Sequence, residues 1–151
     1  MSKRRLDYNK TDPNAIKGML ELEKYVVESG LEISLYELVK LRASQINGCA
    51  YCIDMHAKDA RKAGETEQRL YTLSAWRETS FYSERERAAL AWTEAMTLIS
   101  ENDMDDSLYN EVQKHFSEKE HLALTMAIVA INGWNRLAIG FRKEPGSYKP
   151  G

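Results

Sequence analysis

Apolar residues recur along this chain at three- and four-residue intervals, the period of helices that bury one face. Ile16, Met19, Leu20, Val26 and Val27 define a first helix, with Leu22 out of phase. Asp12-Pro13 predicts its start, an N-cap followed by proline at the first helical position, and Gly30 marks its end. Leu38, Leu41 and Ile46 carry a second helix. Ser34-Leu35-Tyr36-Glu37 opens it in the form of a capping box, and the turn signal Asn47-Gly48 closes it. A third helix is expected from Cys49 to Lys62 with Gly64 as its terminal glycine, and a shorter fourth over Glu67 to Trp76. Ser83-Glu84-Arg85-Glu86 is another capping box; it opens a helix with Ala88, Ala89, Trp92, Ala95, Met96 and Ile99 on one side. Asp105-Asp106 starts a short helix through His115, and Ser117-Glu118-Lys119-Glu120 caps the most apolar helix, Leu122 to about Gly140. No segment alternates as a strand would, so the pattern predicts an all-α, single-domain bundle of about seven helices joined by short loops. Residues 12–142 form this domain; residues 1–11 read as a flexible N-terminal segment and 143–151 as an extended tail.

Length and charge narrow the class. A chain of 151 residues can bury a core without disulfide staples. A net charge of −2 argues against electrostatic capture of nucleic acid or of an anionic membrane. The uncharged run Leu122 to Ile131 is too short to span a bilayer, and the basic start Met1-Ser2-Lys3-Arg4-Arg5 lacks the apolar segment of a signal peptide. These features predict a cytoplasmic protein with no nucleic-acid and no membrane partner. In a reducing compartment, a Cys-x-x-Cys is redox-active or metal-binding more often than a permanent staple.

The reactive side chains concentrate in Asn47-Gly48-Cys49-Ala50-Tyr51-Cys52-Ile53-Asp54-Met55-His56, which holds both cysteines and one of the three histidines. On a helix the separations Cys49/Cys52 and Cys52/His56 put all three side chains on one face. The cysteines fall in the first turn, where free backbone N–H groups favour a thiolate. His56 could take the Cys52 proton, and a second thiol could convert a sulfenic acid into a disulfide. Spacing leaves two alternatives open: a dithiol sensor that does not turn over, and a zinc-stabilised protein. Zinc wants four ligands, and only His115 and His121 remain, far along the chain. Glu37 could fold back toward the thiols, but spacing alone favours its capping role. Tyr51 reads as packing, and the amides of Asn132-Gly133-Trp134-Asn135-Arg136 as structural hydrogen bonding. Glu84-Arg85-Glu86-Arg87 and Arg61-Lys62 read as solvated faces.

The order Glu37, Cys49-Ala50-Tyr51-Cys52, His56 resembles the motif of the AhpD-like alkylhydroperoxidases, within the carboxymuconolactone decarboxylase superfamily. The similarity extends through Leu38 to Gly48 before the first cysteine and Ala57 to Gly64 after the histidine. Ile131-Asn132-Gly133-Trp134-Asn135-Arg136-Leu137 is similar as well. The resemblance implies an all-helical fold, homo-oligomers (trimers or hexamers) and thiol-dependent reduction of a peroxide, with an external dithiol or disulfide reductase as electron donor and no cofactor. It also implies roles: Cys52 the peroxidatic thiol, Cys49 the resolving thiol, His56 and Glu37 the proton relay. The resemblance, not the spacing, moves Glu37 from cap to site. Some family members carry a histidine between the cysteines where this chain has Tyr51.

Overall fold

The computed structural model describes residues 3–151. Eight α-helices and two short 3-10 helices make up its regular structure, and no strand occurs among the described residues. The α-helices run Tyr8–Thr11 (α1), Pro13–Glu28 (α2), Ile33–Asn47 (α3), Ala50–Lys62 (α4), Glu67–Thr72 (α5), Glu84–Thr97 (α6), Asp106–Gln113 (α7) and Glu118–Gly140 (α8). The fourth expected helix is split: α5 passes into a 3-10 helix over Leu73–Glu78, with Ala75 out of helical geometry.

The unforeseen helix is α1, inside the segment read as flexible. Positions 1 and 2 of that segment lie outside the described residues. From Arg5 onward the chain is tied down. The Arg5 backbone N–H and guanidinium donate to the carbonyls of Phe141 and Gly140 at 3.2 and 3.0 Å, satisfying the end of α8, and Tyr8 is buried against Phe141.

Helix α3 is the central element. It buries Leu35, Leu38, Val39, Leu41 and Ala43, and also Glu37, Lys40 and Ser44, so nearly its whole circumference is covered by α4, α6 and α8. The capping box expected at Ser34 is not formed. The helix starts two residues earlier, with Glu32 at the N-cap and no side-chain cap bond. Ser34 therefore lies inside the first turn, and Glu37 is released to point inward. The boxes at Ser83/Glu86 and Ser117/Glu120 are both complete. The charges beyond Ser83 are not simply a solvated face. Arg85 bridges Glu32 and Glu120 over the Phe116 ring, and Arg87 donates to the carbonyls of Trp76 and Thr79.

By length and composition α8 could cross a membrane, because the helix continues unbroken beyond the uncharged run Leu122 to Ile131. It packs instead on α2, α3, α4 and α6. Its amides are spent on α3: Asn47 donates to Asn132 and Asn135 at 3.0 and 2.8 Å, and Asn135 donates to the Ser44 hydroxyl at 3.0 Å. Trp134 donates to Glu23 on α2 at 3.0 Å.

Two predictions follow from this packing. Asn135→Ala strands the Asn47 and Ser44 partners and should cost about 2 kcal/mol in urea unfolding. His121, buried beside Trp92 and Tyr109, receives the Gln113 amide at 2.6 Å on Nδ1, while its Nε2 has no partner among the described residues. Burial lowers its pKa from the ordinary 6.5, so the native state binds fewer protons than the unfolded chain. Stability should therefore fall as pH drops through 6.5 toward the lowered native value, and His121→Phe should remove that part of the slope. Unfolding curves at pH values either side of that window test it.

Candidate active site

The turn between α3 and α4 serves two helices at once. Gly48 adopts φ +69°, and its N–H bonds the carbonyl of Gln45 at 3.2 Å while that of Cys49 bonds Ser44 at 3.0 Å. This is a Schellman closure, and its left-handed position favours glycine. The residue that completes it, Cys49, is also the N-cap of α4, and its Sγ accepts the Cys52 N–H at 3.3 Å. The sulfurs of Cys49 and Cys52 are joined as a disulfide, their Cα atoms 5.3 Å apart. Both are buried against Ala43, Ile131 and Ala138. The pair thus sits on the positive end of α4.

One turn along α4, His56 is also buried. Its Nδ1 lies 2.8 Å from Oε2 of Glu37, which α3 presents from the opposite wall. The four residues singled out from sequence therefore meet: two sulfurs at the start of α4, the imidazole a turn deeper, the carboxylate behind it. Next to Glu37, burial and the neighbouring carboxylates Glu37 and Glu23 push the Tyr36 phenol well above its ordinary range. It stays protonated.

A cavity of about 320 Å³ opens onto this cluster. Cys52, His56, Glu37 and Asp59 line it, and Cys49 does not. Its remaining walls are largely apolar or aromatic, including Leu20, Tyr51, Met55, Trp134 and Ala138. Tyr51 lies under the Lys143 ammonium, 4.0 Å from ring centre to Nζ. Burial alone would lower the Lys143 pKa, but its contacts with Tyr51 and Tyr8 outweigh that and raise it. Lys40, buried on α3, is paired with Glu23.

Asp59 is the site residue that spacing did not reveal. It lies three residues beyond His56, and donor atoms of Glu37, His56 and Asp59 all fall within 4.8 Å of one another. These donors are engaged with protein partners: Glu37 and His56 hold each other, and Asp59 accepts from Tyr148. Neither sulfur belongs to the group, so it is not the cysteine-bound zinc site weighed from sequence. The signal that could have found Asp59 is its helical register with His56.

The fold agrees with that of known proteins. The family model for the carboxymuconolactone decarboxylase family matches residues 13–95. YdfG of Bacillus subtilis (strain 168), an uncharacterized protein, is 46% identical over 143 residues, covering 95% of this chain and 97% of that protein. The solved structure of ATU0492 from Agrobacterium tumefaciens, a protein of unknown function named as an AhpD-type candidate for antioxidant defence, is also 46% identical. It superposes with a TM-score of 0.93, covering 97% of this chain and all of that one. The debrominase Bmp8, 20% identical, shares the fold with a TM-score of 0.81 over 91% of this chain and 74% of its own. The chain belongs to the carboxymuconolactone decarboxylase family, as an AhpD-like member.

Proposed function

We propose that this protein is a thiol-dependent peroxidase. The observation that carries the reading is the division of the two sulfurs: Cys52 lines the cavity beside His56, and Cys49 lies bonded behind it. In the reduced protein His56, oriented by Glu37, takes the Cys52 proton. The thiolate attacks one oxygen of a peroxide, the O–O bond breaks, and the departing alkoxide is protonated by the imidazolium. Cys52 is left as a sulfenic acid. The Cys49 thiol attacks that sulfur, water leaves, and the disulfide forms. An external dithiol then exchanges with it, giving back two thiols and leaving the donor oxidised. The disulfide seen here corresponds to the end of the oxidative half of this cycle. The largely apolar walls fit an organic hydroperoxide, and no organic cofactor is required.

A homo-oligomer, trimeric or hexameric, belongs to the same proposal. Leu122, Val129 and Ile139 are exposed along α8, where a second copy would cover them. A cytoplasmic location follows from the need to keep the thiols reducible.

Steady-state peroxide consumption with a dithiol donor tests the function. The wild type should turn over many times; a sensor would oxidise once and stop. Cys52→Ser should abolish consumption with the fold intact, and Cys49→Ser should stall after one oxidation. Full activity in Cys52→Ser at matched protein concentration would sink the assignment.

A further inference from the structure

The C-terminal tail reaches the relay. After α8 the backbone turns back at Arg142, with φ +54°, and the Lys143 N–H bonds the carbonyl of Ala138 at 2.9 Å. The tail then lies along α4. The Gly146 N–H donates to Asp54 at 3.0 Å, and Lys58, itself paired with Asp54 at 2.8 Å, donates to the Tyr148 carbonyl at 3.1 Å. These contacts deliver the Tyr148 hydroxyl to both oxygens of Asp59, at 2.8 and 3.0 Å. Ordering a terminal segment costs conformational entropy, so contacts of this number hold it against a real penalty.

We propose that Asp59 and Tyr148 are positioning residues of the relay: Asp59 supplies a second carboxylate beside His56, and Tyr148 tempers its charge. The inference rests on the reading of His56 and Glu37 as the base for Cys52. The electrostatics follow from the geometry. Two carboxylates next to one imidazole raise the free energy of removing a further proton from the Cys52–His56 pair. A hydroxyl donating to one of those carboxylates offsets part of that charge. Tyr148 can do so throughout the working range, because burial and then its bond to Asp59 push its pKa up to about 12.

Other charged groups that line the cavity are accounted for. From α2 and α3, Glu23 and Lys40 neutralise each other, and Tyr36 stays protonated. From the tail Lys143 lies against the Tyr51 and Tyr8 rings, at 4.0 and 5.5 Å. Of these, Tyr36 also feels the Asp59 charge, a minor cause of its shift beside burial and Glu37.

The test is the pH dependence of Cys52 alkylation by iodoacetamide in the reduced protein, in a Cys49→Ser background so that one thiol reports. Asp59→Asn removes a negative charge and should move the acid limb to lower pH, by on the order of one unit. Tyr148→Phe keeps the ring, bares the charge, and should move the limb the other way by less. The double variant should behave as Asp59→Asn alone, since Tyr148 acts through Asp59. Thermal melts confirm folding of each. A limb that stays in place in Asp59→Asn, or a Tyr148→Phe shift that persists when residue 59 is already Asn, overturns the inference. Alkylation needs no peroxide turnover, so these shifts in a protein that consumes no peroxide would uphold the inference and fault the peroxidase reading alone.

Discussion

A carboxylate and an imidazole, both withdrawn from water and 2.8 Å apart, tie α3 to α4. Hydrophobic residues of similar size would pack there as well or better, because desolvation consumes much of what such a pair gains. Breaking it from one side would leave the other group buried without its partner. The arrangement is therefore poorly explained by stability and well explained by chemistry. Glu37 fixes the imidazole through Nδ1, and the ring's second nitrogen is left for other partners. Its position follows from α3, which is buried almost all round and cannot rotate to carry the carboxylate elsewhere.

The sulfurs depend on the same helix. The end of α3 and the start of α4 are one structure, because Cys49 completes the first and caps the second. The amides of α8 hold that turn from behind through Asn47 and Ser44. The register of α4 sets the spacing of disulfide and imidazole, and the packing of α3 on α4 sets where the Glu37 carboxylate meets them. The similarity to ATU0492 over its full length shows that the whole scaffold, not the motif alone, recurs.

Much of this was legible in the chain. Helical spacing and caps located every long helix, since Asp12, Ser83 and Ser117 act through local hydrogen bonds that need no tertiary information. The meeting of Cys49, Cys52 and His56 was also local, being a matter of helical register. Glu37 was not. Ser34 and Glu37 have capping-box spacing, and only the burial of α3 shows why the helix begins at Ile33 instead. Tyr148 was equally hidden, because its contact with Asp59 spans 89 residues and depends on a turn at Arg142 with no glycine to announce it. Arg5 at the end of α8 is a third case of long-range pairing that periodicity cannot register.

The claim that the buried Glu37–His56 pair activates Cys52 can be measured directly. Stopped-flow mixing of reduced protein with hydrogen peroxide gives the second-order rate constant for oxidation of the thiol, in the wild type and in Glu37→Gln. If the pair is the base, the variant should react about a hundredfold or more slowly at neutral pH while keeping its fold. Equal rate constants for the two proteins would contradict the account.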